Sequence, residues 1–459
     1  MTRRLAATTT RGDRSLVLKS RPIDLFKGWP NPGLLPPQAL NKASEDILAD
    51  PRNKDVLFYG PDEGYRPLRE EIAMWLTDFY RPNQPVSTER ICITGGASQN
   101  LACILQTFTD PLYTRNIWMV APTYFLACRI FNDSGFDGRL RAVPEDDEGI
   151  DLSYLERSLH QSDMQAEAMN SAYPRLKTSK PWRKIYKHVI YAVPTFSNPS
   201  GRVMSLQHRH GLVKLARKYD ALIVTDDVYD MLQWSSDAGA KPQQMDTALL
   251  PRIVDIDREL AGGPVDRFGN AVSNGSFSKI VAPGCRTGWA EGTEALAYGI
   301  SQTGSSRSGG APSHLVASFI YKMLSTRTLQ RHIFQELQPA YARRYHTMMN
   351  AVRRHLFPLG LTVPQPDNDI AGGYFIWLIL PRPLDSSRVS QLALAEENLI
   401  ICAGEKCSVE GDEQNQGNMF QADLRLCYAW EEVDVLEEAV VRLRRVVRRE
   451  MTRSNEQLS

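Results

Sequence analysis

The chain has 459 residues, too many for one small core, so two interlocked domains or one large domain with a lobe are expected. Its 42% hydrophobic and 23% charged residues are ordinary for a globular chain, and no apolar run approaches the roughly 20 residues that span a bilayer. A net charge of +1 gives no polyanion footprint, so neither nucleic acid nor membrane is expected as a partner.

The first residues carry Arg3, Arg4, Arg11, Arg14, Lys19 and Arg21 against one acid, Asp13. They lack the apolar core of a secretory signal. They suit a solvated arm on a cytoplasmic protein, with a mitochondrial presequence as the alternative. Residues 23–37 are rich in Gly and Pro and read as an extended arm. A helix is predicted over 38–48, then a turn-rich link over 57–65. Pro67 stands at the start of a helix with Leu68, Ile72, Trp75 and Leu76 at helical spacing. A strand over 91–94 runs through Gly95-Gly96 into a helix holding Leu101 and Leu105. Another strand covers 118–121. Residues 161–187 are polar without a clean period and read as an insertion or a long surface loop. A strand over 189–193, a helix over 206–219 and a strand over 221–225 follow. A Gly/Ser-rich loop covers 303–313. A long helical stretch begins near Leu329, a strand spans 372–378, another spans 424–428, and a helix runs from Val433 to about Arg449. The tail from Thr452 is expected to fray.

Strand, glycine, helix, strand is the pattern of a parallel sheet with crossover helices. Such sheets carry ligands at the carboxyl ends of their strands. Asp226, Asn198 and the Gly95-Gly96 pair all follow predicted strands. The seven cysteines are scattered without a CxxC, which suits reduced thiols in an intracellular enzyme, and no metal site is expected.

The most informative run is 275–288, Gly-Ser-Phe-Ser-Lys-Ile-Val-Ala-Pro-Gly-Cys-Arg-Thr-Gly. Lys279 can form a Schiff base with an aldehyde. Ser276, Ser278 and Arg286 can hold a phosphate. Taken alone, the run also suits a basic surface loop. Asp226 ends a buried strand, where a carboxylate needs a partner. Taken alone, Asp226-Asp227 also suits a solvated turn. Asn198-Pro199-Ser200-Gly201 is a turn former that can present an amide. Gly96, Ala97 and Ser98 open a helix whose free N–H groups favour an anion, although a lone Gly-Gly is a weak signal. Tyr124 follows a strand and is either a core tyrosine or a ring-stacking one. Arg425 lies between two leucines, as an edge charge or a bidentate carboxylate anchor.

Together these motifs resemble the class I/II, fold-type-I aminotransferases that use pyridoxal 5'-phosphate (PLP), nearest the aromatic, kynurenine and 2-aminoadipate group. The resemblance implies a three-layer α/β/α large domain with a mostly parallel sheet and a smaller α+β domain. It divides the chain into an arm with part of the small domain over 1–55, a PLP-binding domain over 56–328 and a small domain over 329–459. It puts PLP on Lys279, with Asp226 on the ring nitrogen, Tyr229 on the ring's phenolic oxygen, Asn198 on O3′ and Tyr124 stacked on the ring. Gly96, Ala97, Ser98, Ser276, Ser278 and Arg286 form the phosphate cup. Tyr59 reaches the phosphate of a neighbouring subunit, which implies a homodimer with shared active sites. Gly28, Asn198 and Arg425 take the substrate carboxylate. The implied reaction is ping-pong transfer of an amino group from an aromatic or similar amino acid to a 2-oxo acid. The alternative is β-elimination, as in a C–S lyase. Tyr65, Tyr374 and Trp29 are candidates for an aromatic-tolerant pocket, and Arg307 for a second carboxylate. A regulator fused to a DNA-binding winged helix is a remoter reading, because only about 22 residues precede Ile23.

Overall fold

The computed structural model describes residues 21–168, 175–241, 244–364, 369–417 and 419–458. The presequence alternative, which rests on residues 1–20, lies almost wholly outside them.

An eight-stranded sheet forms the centre. Its order is Ile91–Thr94, Gly288–Glu291, Ala271–Ser276, Ala221–Asp226, His188–Ala192, Asn116–Ala121, Leu140–Asp146 and Gly149–Ile150. The strands from Ala271–Ser276 to Leu140–Asp146 run parallel. Gly288–Glu291 is antiparallel to both its neighbours, and Gly149–Ile150 is antiparallel at the far edge.

Side chains alternate across this sheet, and so do the cores. Ile117, Met119, Val189, Tyr191, Leu222 and Val224 face one buried cluster, which takes in helices Ala97–Phe108, Phe125–Phe131 and Glu294–Ser301. Trp118, Val120, Ile190 and Ile223 face the other, with Leu155, Leu159, Leu212, Val213 and Ile256 of helices Leu152–Ala168, Leu206–Lys218 and Ile253–Glu259. The result is the three-layer α/β/α arrangement expected.

A three-stranded antiparallel sheet holds Arg425 on its middle strand. Phe375–Ile379 and Cys402–Ala403 flank Asp423–Cys427, with Trp377 and Cys402 both opposite Arg425. Helices Gln338–His355, Ser386–Glu397 and Val433–Leu458 belong to the same region. The arm is fastened here. Ile23–Asp24 pairs with Leu399–Ile400, and Cys427 N donates to Leu25 O at 2.8 Å.

Four expectations are corrected. The 161–187 stretch is not all loop, because helix Leu152–Ala168 continues into it and buries Leu159 and Ala166. The 372–378 strand is two strands. Gly373 turns at φ 70, so Ile370–Gly372 pairs with Gln233–Ser235 and Phe375–Ile379 joins the three-stranded sheet. The 303–313 loop contains a one-turn helix, Gly304–Arg307. The last helix persists to Leu458 instead of fraying from Thr452.

Candidate active site

The parallel strands end along one edge, and there a cavity of about 680 Å³ opens between the sheet, the arm and the three-stranded sheet. It is lined by Gly28, Ala97, Ser98, Tyr124, Asn198, Asp226, Tyr229, Ser276, Ser278, Lys279, Arg286 and Arg425. Residues far apart in the chain therefore meet: most follow the carboxyl ends of the parallel strands, Gly28 crosses from the arm, Arg286 precedes strand Gly288–Glu291, and Arg425 comes from the three-stranded sheet. Gly96 lies just behind this wall, where a Cβ would come within 3.3 Å of Arg286 Nη2.

One end of the cavity is built for an anion. No side chain caps the N-terminus of helix Ala97–Phe108, and its first turn carries no acid. Its free N–H groups and dipole therefore favour negative charge. Arg286 is held there by its own Nη2, which donates to Gly95 O at 3.1 Å. Ser276 Oγ donates to Ser278 Oγ at 3.0 Å.

The floor holds Asp226, 8% exposed. Its oxygens accept from Tyr191 Oη at 2.6 Å and Asn274 Nδ2 at 2.7 Å. Burial raises its pKa to about 6; the two donors oppose that rise and Asp227 adds to it. Asp227 turns the other way. It accepts from Ser273 Oγ at 2.5 Å and Thr225 Oγ1 at 2.8 Å and does not line the cavity.

Lys279 lines the same cavity. Its Nζ donates to Gly28 O at 2.7 Å and sits 5.1 Å from the Tyr374 ring. Burial brings its pKa down to about 8, with Cys427 opposing and Arg425 assisting. This amine is a usable base near neutral pH.

At the other end lies Arg425. Its Nη1 donates to Asn198 Oδ1 at 3.0 Å and its Nη2 to Phe26 O at 2.7 Å. Its Nε has no partner among the described residues although it is buried. A buried donor left unpaired is costly, so the geometry suits an incoming carboxylate. Phe375 lies under the guanidinium at 4.4 Å.

Some expected residues stand elsewhere. Tyr65 packs edge-on against His314 and Tyr321, outside the cavity. Arg307 pairs with Asp62 on the surface. Tyr374 is buried behind Lys279, donating to Lys279 O. Tyr59 is 89% exposed and outside this cavity. Tyr191 and Asn274, which hold Asp226, were not singled out from the sequence. Asn274 sits opposite Asp226 in strand register, and only that register reveals the pair.

A buried amine and a buried carboxylate lining one cavity, with an anion cradle and a guanidinium beside them, define an enzyme site for amine chemistry on anionic molecules. The chain matches the family model for aminotransferase class I and II over residues 30–443, and it belongs to that family. It is 36% identical over 440 residues to the uncharacterized protein YER152C of Saccharomyces cerevisiae, covering 92% of this chain and 96% of that one. It is 27% identical over 438 residues to aromatic-amino-acid aminotransferase 1 of Thermococcus litoralis, covering 95% and 90%. Among solved structures, a kynurenine aminotransferase of Pyrococcus horikoshii, in complex with PMP, matches with a TM-score of 0.74 and 27% identity, covering 94% and 92%. The chain is thus a transaminase of fold type I, and β-elimination is not favoured. Among the described residues, no helix is long and apolar enough to cross a membrane.

Proposed function

We propose that this transaminase moves the amino group of an aromatic or similar amino acid to a 2-oxo acid, with PLP bound through Lys279. The convergence of Lys279, Asp226 and Arg425 on one cavity carries the reading. The donor set fits the cofactor. The cradle of Ala97, Ser98, Ser276, Ser278 and Arg286, with Gly96 behind it, suits its phosphate. The Asp226 carboxylate suits a protonated pyridine nitrogen, and that partner would offset the cost of its burial. Tyr124, Asn198 and Tyr229 line the same cavity, where Tyr124 would stack on the ring and the other two would serve its phenolic oxygen.

When bound, PLP supplies the electron sink that lets the α-proton of an amino acid leave. The protein does the rest. Arg425 and Asn198 orient the substrate carboxylate, and Gly28 brings the arm over it. Lys279 Nζ, already brought towards neutrality by burial, takes the α-proton and returns it. Asp226 would hold a proton on the ring nitrogen of the bound cofactor. Phe26, Phe125, Trp29 and Phe375 give the cavity apolar walls that suit an aromatic side chain.

We further propose a homodimer with shared sites. Leu57, Phe58 and Tyr59 form an exposed apolar run, from which Tyr59 would reach a neighbouring cradle. Titrating the holoenzyme with single amino acids tests the substrate reading. Aromatic donors should convert the visible cofactor band. A screen in which no aromatic donor does so contradicts it.

A further inference from the structure

The charge inventory of the cavity leaves one cation without a role. Among the described residues, its lining holds Lys27, Lys279, Arg286 and Arg425 as cations and Asp24 and Asp226 as anions. Three of the cations and Asp226 are taken by the functional reading above. Lys27 stands at the mouth, on the arm, one residue before Gly28. Its side chain is 40% exposed. Its Nζ lies 4.9 Å from the Trp430 ring and 5.6 Å from the Trp29 ring, and the two indoles meet edge to face at 5.6 Å.

Its ion pair with Asp24 is loose, 3.4 Å from Nζ to Oδ2. The other oxygen of Asp24 is engaged by the backbone, accepting from Phe26 N at 2.9 Å and Lys27 N at 3.1 Å. Asp24 is therefore fixed as a turn-former, and Lys27 keeps donors free for a second anion. A lysine ammonium has three, and neither indole consumes one as an acceptor would.

We infer that Lys27 is a specificity residue that grips the far carboxylate of a dicarboxylic 2-oxo acid or amino acid, while Trp29 beside it receives aromatic side chains. The inference rests on the transaminase reading, because that reading fixes the near carboxylate at Arg425. One mouth then serves both half-reactions. An aromatic donor lays its ring against the exposed indole of Trp29, and a dicarboxylic acceptor reaches the ammonium next to it. The two need not be accommodated at once in a ping-pong cycle.

Equilibrium binding separates this subsite from the chemistry. The holoenzyme is titrated by calorimetry with glutarate and with valerate. Both are unreactive and of equal length, and both offer one carboxylate to Arg425. Wild type should prefer glutarate about tenfold, the worth of one charge-assisted contact at a half-exposed site. Lys27→Met should reduce the preference to within about twofold, and Lys27→Arg should keep it. Asp24→Asn, whose amide oxygen can still cap the turn, removes the competing anion and should raise glutarate affinity several-fold. A preference unchanged in Lys27→Met, or glutarate binding weakened by Asp24→Asn, overturns the inference. The acceptor half-reaction gives a second readout, since the ratio of kcat/KM for 2-oxoglutarate to that for 2-oxopentanoate should fall about tenfold in Lys27→Met. Failure of wild type to convert any amino donor would indict the transaminase reading, and the binding ratios would still report on Lys27.

Discussion

Asp226→Asn should stabilise the cofactor-free protein while abolishing transamination. The carboxyl is held at a pKa of about 6 by burial, against 3.8 for an ordinary aspartate. A group whose folded pKa is raised costs stability once it ionises. That cost is absent below pH 3.8 and complete above about pH 6. At roughly 1.36 kcal/mol per pH unit, the full cost is about 3 kcal/mol. The amide can keep both contacts. Its oxygen accepts from Asn274 Nδ2, and its NH2 donates to Tyr191 Oη. A net gain of about 1 to 3 kcal/mol at pH 8 is therefore expected, and about half of it at pH 5. Urea unfolding of the cofactor-free variant at the two pH values measures it. Loss of stability at pH 8, or a gain indifferent to pH, would refute the electrostatic account of the floor. In the holoenzyme the effect should reverse, because the carboxylate then has a cationic partner.

Gly28→Ala tests the arm. A Cβ there would fall 2.7 Å from Phe375 Cζ, and Phe375 supports Arg425. Overpacking of this kind costs about 1 to 3 kcal/mol, so a lower Tm should accompany a rise in substrate KM of about tenfold. Arg425→Lys cannot reach Asn198, Phe26 and a substrate carboxylate together, and donor KM should rise about 10- to 100-fold in steady-state kinetics. Lys279 needs its neutral amine to attack an aldehyde. With burial holding its pKa at about 8, capture of pyridoxal by the cofactor-free protein should quicken as pH rises, with a midpoint near 8 in stopped-flow absorbance.

Four of the eight strands of the central sheet and most of the cavity lining were legible in the sequence, because they rest on local signals. Ile91–Thr94 and Ala221–Asp226 are dense apolar runs, and Asn198, Lys279 and Arg425 stand in motifs with their own chemistry. Ala271–Ser276 was missed as a strand. Half of its sequence Ala-Val-Ser-Asn-Gly-Ser is polar, yet Ser273 and Asn274 are buried because they serve Asp227 and Asp226. A buried polar residue carries no periodic signal, and its partner lies 48 positions away. Tyr65 was misjudged for a similar reason. Its aromatic character is legible, but its packing on His314 and Tyr321 depends on where a distant helix docks. The helix over 152–168 is not legible from the sequence, and its end falls in the stretch read as loop, because only Leu155, Leu159 and Ala166 of its length are buried.

Borohydride reduction of the coloured holoenzyme, followed by peptide mass spectrometry, addresses the attachment point directly. The account predicts a pyridoxyl group on the side chain at position 279. A label on another lysine, or on none, would contradict it.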